Sequence, residues 1–292
     1  MNYFVTGGTG FIGRFLVPKL LDRGGIIYLL VREESMDKLE ALRNFWGASA
    51  EQVIPVAGDL SKKRLGVKPA WVREHAGSID HFFHLAAIYD MKADAESQRV
   101  SNVNGTAQAI SLAKGLKAGC FHQVSSIAAA GLYEGTFTED MFEEAGAMDH
   151  PYFLTKHESE GLVRKAKGLN WRIYRPGMVV GHSRTGEMDK IDGPYYFFEA
   201  IQNLSRVTPE GFPLVMNKAG LLNVVPVDYV VEAMDYLAHL PGHDQECFFL
   251  TDPDGIRVGD LLRAIMDAAH GPKLRAMNLK FLDKATQLAG EG

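Results

Sequence analysis

The chain has 292 residues, of which 46% are hydrophobic and 23% charged, with a formal net charge of −5. These proportions are typical of a globular enzyme and exclude disordered and fibrous classes. The charge includes no basic block, so the electrostatic footprint of a nucleic-acid-binding protein is missing. We find no signal-peptide pattern and no run of roughly 18 apolar residues that would predict a membrane span. The two cysteines, Cys120 and Cys247, lack metal-ligand spacing, so we expect a cytoplasmic protein without a metal site.

Short apolar runs alternate with helix-like patterns along the first half of the chain. Strands are predicted at residues 3–6, 26–31, 53–57, 79–85, 120–125 and 171–174. Helices are predicted at residues 11–22, 36–46, 93–116, 152–167, 227–240 and 258–269. Short strands alternating with helices imply right-handed crossovers and a parallel sheet covered on both faces. We therefore predict an α/β fold with a doubly wound, Rossmann-type parallel sheet.

The regular alternation ends near Arg175, after which glycine, proline and aromatic residues interrupt the pattern. We predict that residues 1–175 form a dinucleotide-binding core that carries the catalytic residues. Residues 176–292 are predicted to be mainly a smaller substrate-binding region, interleaved with that core.

A glycine-rich turn stands between the first predicted strand and the first predicted helix. From residue 6 it reads Thr-Gly-Gly-Thr-Gly-Phe-Ile-Gly. Glycines allow a tight turn and close approach of backbone to a pyrophosphate, and the helix N terminus favours the anion. An ordinary strand–helix turn is the alternative, but the position between strand and helix favours a cofactor site. The predicted cofactor-binding residues here are Gly7, Thr9, Gly10, Phe11, Ile12 and Gly13.

Arg32 follows the second predicted strand, where NAD enzymes usually carry an acidic residue for the ribose hydroxyls. A guanidinium at this position can pair with a 2′-phosphate and stack on adenine. Arg32 therefore favours NADPH as the cofactor. Because Glu33 follows directly, NADH stays open as the alternative.

A tyrosine and a lysine stand four residues apart at the start of a predicted helix. Tyr152 and Lys156 at this spacing share one helical face. The strand before them ends in Ser125 and Ser126, and the carboxyl ends of strands are where such sheets bind ligands. Ser126, Tyr152 and Lys156 are therefore our candidate catalytic residues.

The sequence resembles the extended short-chain dehydrogenase/reductase superfamily, and within it the branch of fatty acyl-CoA reductases and thioester-reductase domains. It looks closest to the N-terminal domain of bacterial two-domain, alcohol-forming fatty acyl-CoA reductases, which would make it a portion of a longer protein. The resemblance is carried by residues 6–13, 28–32, 58–60, 84–87, 102–106, 125–126, 152–156, 175–177 and 223–228.

The resemblance implies roles for individual residues. Tyr152 would protonate the carbonyl oxygen, Lys156 would lower the tyrosine pKa and hold the nicotinamide ribose, and Ser126 would hydrogen-bond the same oxygen. Asn102 matches a family position that is either structural or part of a proton relay. The resemblance also implies cofactor contacts from Asp59 and Leu60 at the adenine, Ala86 along the dinucleotide, and Pro176, Gly177 and Val179 near the nicotinamide.

The segment after Ser126 narrows the substrate class. Ile127 stands where sugar-nucleotide dehydratases of the superfamily carry an acid, so dehydration is disfavoured. Residues 128–132 are small and apolar, which suits a hydrophobic ligand. The aromatic residues within 193–198 would line an acyl tunnel or belong to the core. The long connection at 131–150 is typical of an active-site lid.

The function predicted on this basis is NADPH-dependent reduction of a fatty acyl thioester or fatty aldehyde. The alternatives are reduction or oxidation of another hydrophobic carbonyl or alcohol, sugar-nucleotide epimerisation, and a non-catalytic NADPH-sensing module. By analogy we also expect a homodimer through helices 93–116 and 152–167, and a second reductase domain in the native chain.

Overall fold

The computed structural model describes residues 1–88, 93–188 and 220–268. The chain divides into two compact units, the first comprising Met1–Asp189 with Val225–Leu250 and the second Lys190–Val224 with Thr251–Gly292. The aromatic run at 193–198 lies outside the described residues.

Eleven strands lie in the described residues. They are β1 Asn2–Thr6, β2 Ile26–Val31, β3 Val53–Ala57, β4 His81–His84, β5 Cys120–Val124, β6 Trp171–Pro176, β7 Met178–Val180, β8 Leu221–Leu222, β9 Val224–Pro226, β10 Glu246–Leu250 and β11 Ile256–Arg257. Seven of them form one parallel sheet in the order β10-β6-β5-β4-β1-β2-β3. This sheet, which belongs to the first unit, confirms the predicted α/β fold class. In the second unit, β8 and β11 pair antiparallel.

Helices cover both faces of the large sheet. The α-helices of the first unit are α1 Phe11–Asp22, α2 Met36–Trp46, α3 Pro69–Glu74, α4 Ala95–Gln98, α5 Gly105–Leu116, α6 Pro151–Arg164 and α7 Val227–His239, and the second unit contains α8 Val258–Ala268. Alternate strand residues point to opposite faces, so Tyr3 joins the core beneath α1 and α7, whereas Phe4 joins the core beneath α3, α5 and α6. The two apolar layers bury the sheet between them.

Several elements differ from the sequence-based predictions, which did not include α3, β7, β8, β9 or β11. The single helix predicted at 93–116 contains a π-helical segment, Arg99–Asn104, between α4 and α5. This wider turn places Asn102 where its side-chain amide hydrogen-bonds both backbone groups of Ile88. The edge strand β10 was not predicted, because its five residues lie in the region where the strand–helix alternation is lost.

Candidate active site

The order of strands in the sheet reverses between β1 and β4. From β1 the chain proceeds through β2 and β3 toward one edge, and from β4 through β5 and β6 toward the other. Thr6 and His84, at the ends of β1 and β4, are register partners. In open α/β sheets, the crevice beyond the carboxyl ends of strands at such a reversal is where ligands bind.

The glycine turn lies at this reversal and is closely packed. Gly7 has a positive φ of 72°, and a Cβ atom added there would lie 2.6 Å from the backbone nitrogen of Ala86. A Cβ atom on Gly13 would lie 2.4 Å from the Cα atom of Gly8. No side chain caps the N terminus of α1 at Gly10. The turn therefore brings bare backbone and a helix N terminus to the place where a pyrophosphate would bind.

The residues predicted for the adenosine end follow β2 and β3. Arg32 has 64% of its side chain exposed, and its guanidinium lies 3.2 Å from the Glu34 carboxylate. Hydrogen bonds from the backbone and hydroxyl of Ser61 lower the pKa of Asp59, and Lys62 and Arg32 add to this effect. Leu60 is partly buried beside the start of α5. The three residues predicted to contact the adenosine end of the cofactor therefore all lie at the carboxyl edge of the sheet.

A buried hydrogen-bond chain supports Ala86, and the sequence analysis gave no role to three of its members, Thr6, His84 and Thr106. Thr106 donates to the backbone oxygen of Asn102, so His84 Nε2, 3.1 Å away, must donate to Thr106. His84 Nδ1 then accepts from Thr6 at 2.8 Å, and Thr6 accepts from the backbone of Ala86. Burial lowers the pKa of His84 to about 3, with the charge of Lys156 adding to the effect. His84 is therefore neutral and, through Thr6, holds the backbone of Ala86 in place.

The three candidate catalytic residues come from β5 and α6. Ser126 follows β5 by two residues, and its hydroxyl accepts from the backbone of Ala128 at 3.1 Å. Lys156 is 4% exposed, and its ammonium donates to the Val124 carbonyl at 3.4 Å. Tyr152 is half-buried one helical turn before Lys156. The structure thus brings Lys156 against the strand that ends before Ser126.

Burial changes the acidity of the lysine. Desolvation lowers the pKa of Lys156 to about 8, while the nearby Glu160 carboxylate acts in the opposite direction. An ammonium that holds its proton weakly near neutral pH is a group that can exchange a proton with a neighbouring acid.

The residues predicted near the nicotinamide lie after β6. Pro176 is the buried last residue of that strand, and Gly177 donates its backbone N–H to Leu250 at 3.1 Å. Val179 lies on β7 and packs against the core beneath α1 and α7. These residues continue the same carboxyl edge at which Ser126 lies.

Asn102 stands at the junction of the π-helical segment, α6 and the backbone after β4. Its amide group donates to Ile88 O at 2.9 Å and to the Thr155 hydroxyl at 3.2 Å, and it accepts from Ile88 N at 2.8 Å. These contacts favour a structural role for Asn102 over the role in a proton relay that the sequence left open.

A buried ion pair next to the candidate site was also missed by sequence reasoning. The Glu160 carboxylate and the Arg175 guanidinium are both fully buried and lie 2.7 Å apart. The Ser125 hydroxyl donates to Glu160 at 2.7 Å, beside the candidate catalytic serine. The spacing in the sequence indicates that Glu160 shares a helical face with the candidate catalytic residues, because it follows Lys156 by one helical turn, as Lys156 follows Tyr152.

The residues that the structure describes include no helix that is long and apolar enough to cross a membrane. They also contain no group of three or more histidine, cysteine, aspartate or glutamate side chains that could hold a metal ion.

The chain is similar to known reductase proteins. The model of an NAD-binding family described as "Male sterility protein" matches residues 5–234. A component of the linear gramicidin synthase of Brevibacillus parabrevis is 30% identical over 277 residues, which are 89% of this chain and 5% of that protein. A Drosophila melanogaster protein named as a candidate fatty acyl-CoA reductase is 28% identical over 280 residues, 80% of this chain and 50% of that protein. The chain therefore spans a part of each of these relatives.

A solved structure extends the likeness to the fold. The terminal R domain from the myxalamid PKS-NRPS biosynthetic pathway has a TM-score of 0.81 and 28% identity, over 99% of this chain and 75% of that one. The fold, the glycine turn and these matches define an oxidoreductase of the extended short-chain dehydrogenase/reductase class. Within that class the chain belongs to the Male sterility protein family, in the branch of fatty acyl-CoA reductases and thioester-reductase domains. The predicted superfamily, branch and enzyme class are confirmed.

Proposed function

We propose that this chain is an NADPH-dependent reductase of fatty acyl thioesters, fatty aldehydes or both. The observation that carries the proposal is the position of Lys156, buried against the Val124 carbonyl at the end of β5. At that point Lys156 lies between the strand that leads to Ser126 and the helical turn that begins with Tyr152. The reductases named among the relatives support the reaction class.

The residues at the carboxyl edge fit a dinucleotide. Gly7 allows the turn to pack closely against the backbone of Ala86, and the uncapped N terminus of α1 suits a pyrophosphate. The exposed Arg32 guanidinium is the group that would hold a 2′-phosphate, which is our reason for proposing NADPH rather than NADH. When bound, NADPH supplies the hydride.

The chain's own residues would manage charge and protons at the substrate carbonyl. Ser126 would donate a hydrogen bond to the carbonyl oxygen and stabilise negative charge that develops there. Tyr152 would deliver a proton to the same oxygen. Lys156, with its pKa lowered to about 8 by burial, would favour the tyrosinate form of Tyr152 and restore its proton.

The end point of reduction follows from the leaving group. Hydride addition to a thioester gives a hemithioacetal, which expels the thiol and leaves an aldehyde. Hydride addition to an aldehyde gives an alcohol, and no group leaves. The same oxygen-binding and proton-donating groups serve both steps, so both substrates belong to the proposal.

The test is NADPH oxidation with a long-chain acyl-CoA and, separately, with the matching aldehyde. We expect oxidation with at least one of them and an aldehyde or alcohol product. Tight NADPH binding without reduction of either substrate would contradict the acyl assignment and favour another hydrophobic carbonyl or an NADPH sensor.

Three further expectations belong to the proposal. Residues 176–292 would contribute most of the substrate-binding region. The chain would form a homodimer through its α5 and α6 helices, and in the native protein a second reductase domain would follow. Light scattering of the purified chain tests the dimer. A cytoplasmic location also stays a prediction.

A further inference from the structure

The Glu160 carboxylate is saturated with donors although it is fully buried. Arg175 donates to it through Nε and a terminal nitrogen, and Arg164 donates through Nε at 2.8 Å. The Ser125 hydroxyl supplies the fourth contact. Burial alone would raise the pKa of Glu160, but the contacts with Arg175 and Ser125 and the charge of Arg164 outweigh it and hold the pKa below its usual value. The carboxylate is therefore charged at neutral pH.

Arg175 connects this carboxylate to the connection between β5 and α6. Its terminal nitrogens donate to the backbone oxygens of Thr138 at 3.2 Å and Met141 at 2.9 Å. The guanidinium lies 5.0 Å from the centre of the Phe137 ring and 5.1 Å from that of Phe249. One buried guanidinium thus binds the backbone of the connection and the carboxylate of α6.

The same helix holds the connection at further points. Arg164 donates to the backbone oxygen of Glu139, and its guanidinium lies 5.0 Å from the Phe142 ring. Phe142 stacks on His157 with 4.2 Å between ring centres. Residues 138–142, which we call the anchored segment, are therefore fixed to α6 along the stripe that also carries Tyr152 and Lys156.

We propose that Glu160 and Arg175 are positioning residues that keep the anchored segment, Ser125 and the catalytic face of α6 in one arrangement. The inference rests on the proposed function. Ser125 precedes Ser126, and Glu160 follows Lys156 by one turn. One ion pair therefore sets the end of β5 relative to the helix that carries the candidate acid and base.

The main variant removes both buried charges together, as Glu160→Gln with Arg175→Met. Removing both partners spares the fold, because an unpaired buried charge is the state that destabilises most. The matched control is Glu158→Gln with Arg99→Met, which removes an ion pair of 2.8 Å on the more exposed side of the same helix. The main variant is compared with the native chain only if both unfold at the same temperature. If the double variant does not fold, Arg175→Lys takes its place.

The first readout needs no turnover. A glutamate-specific protease cleaves after the exposed residues Glu139, Glu143 and Glu144 once the backbone around them is released. We expect cleavage at least about tenfold faster in the main variant than in the native chain and the control. Cleavage at the native rate would show that the ion pair does not hold the segment and would overturn the inference.

The second readout separates positioning from a merely structural role. In the main variant we expect kcat to fall at least about tenfold while KM stays within about twofold, since chemistry rather than binding depends on the arrangement. Unchanged kcat would overturn the inference. If the native chain reduces no acyl substrate, the proposed function fails, and the protease readout alone decides whether the ion pair holds the anchored segment.

The pH dependence gives a third readout, for Glu160→Gln alone. The Glu160 carboxylate on α6 is the charge that raises the pKa of Lys156, and the buried His84 of β4, whose pKa the Lys156 charge lowers, is neutral. Loss of the negative charge favours deprotonated Lys156, so the descending limb of kcat should move down by about one pH unit. Glu158→Gln should leave the limb in place, and an unmoved limb in Glu160→Gln would contradict the inference.

Discussion

Two clusters of buried titratable groups, one at each end of the central strands, differ in their charge. At the carboxyl end, Lys156 and Glu160 are both buried. Glu160 forms an ion pair with Arg175, and the Lys156 ammonium donates a hydrogen bond to the Val124 carbonyl. At the amino-terminal half, His81 on β4 and His122 on β5 lie with ring nitrogens 2.9 Å apart, and His239 of α7 lies beside them. The first group retains charge inside the protein, and the second avoids it.

The rings of this histidine cluster bind tyrosine hydroxyls and one another, and the Asp235 carboxylate lies within ion-pair distance, 3.5 Å from His239 Nδ1. His122 Nδ1 lies 3.0 Å from the Tyr174 hydroxyl, and His239 Nε2 lies 2.9 Å from the Tyr3 hydroxyl. Burial is the main cause that lowers the pKa of His81 to about 4, and burial also lowers that of His122 and His239. Rings that stay neutral pack as flat, partly apolar groups.

This difference indicates that the two clusters have different roles within one sheet. Buried charge is expensive and is retained where chemistry needs it. Neutral rings add packing and hydrogen bonds near the amino ends of the strands. Changes at the carboxyl end should therefore alter activity more than stability, and changes in the histidine cluster should do the reverse.

The largest effect is expected from Tyr152→Phe. Loss of the proton donor should lower kcat by roughly 10²- to 10⁴-fold, while NADPH affinity and thermal unfolding stay near native values. Stopped-time product assays and cofactor titration measure the two quantities. Tyr236→Phe, a change at a 62% exposed tyrosine of α7, is the control and should be silent. Native kcat in Tyr152→Phe would remove the catalytic role from this residue.

The histidine cluster should make the protein sensitive to acid. The folded-state pKa of His81 is depressed from 6.5 to about 4, so below pH 6.5 the unfolded chain binds a proton that the folded chain refuses. Stability is therefore complete above about pH 6.5 and declines toward pH 4, by up to about 3 kcal/mol for His81. Urea unfolding at pH 7.5 and pH 5 measures this decline.

His81→Phe is the variant that isolates the effect. It keeps a ring in the stack and removes the titrating group, so the difference in unfolding free energy between pH 7.5 and pH 5 should shrink. Activity at pH 7.5 should stay near native, since the residue lies at the start of β4. A pH dependence equal to that of the native chain would contradict a role for His81.

Most of the fold could be predicted because its signals are local. The helix at 11–22 and the strands at 26–31 and 53–57 have the predicted bounds, since apolar periodicity and flanking glycines act within a few residues. The π-helical segment was not predictable, because it depends on Asn102 binding Ile88, a contact between residues 14 positions apart. Local patterns do not report such pairings.

The candidate site divides in the same way. Gly7 could be found because the glycine motif directly follows a strand, and Lys156 because it stands four residues after Tyr152 at the start of a helix. Glu160 and Arg175 could not be paired from sequence, since 15 positions and a whole crossover separate them. Charged residues that are exposed in most helices give no sign of burial until the surrounding elements are placed.

Gly7→Ala tests the glycine turn with an intermediate effect. The added Cβ would lie 2.6 Å from Ala86 N at a positive φ, so turn and strand end must move apart. We expect NADPH affinity to fall by about tenfold or more, from strain of roughly 1–3 kcal/mol. Gly24→Ala has a similar φ of 76° but meets nothing within 4 Å, so it should leave cofactor affinity unchanged. Equal affinity in both variants would contradict the close approach.

The smallest effect is expected from Arg32→Ala, because this charged group at the carboxyl edge is exposed rather than buried. Arg32 belongs to the carboxyl edge, yet 64% of its side chain is exposed, so its charge costs little to retain and is screened by solvent. A hydrogen-bonded charge pair with a 2′-phosphate contributes about 1.5 kcal/mol or more, so the preference for NADPH over NADH should fall by about tenfold. Arg263→Ala removes a guanidinium of similar exposure, 62%, and should leave the ratio of the two affinities unchanged. If Arg32→Ala also leaves that ratio unchanged, the preference is set elsewhere. The carboxyl edge would then bind the dinucleotide through backbone and buried groups alone.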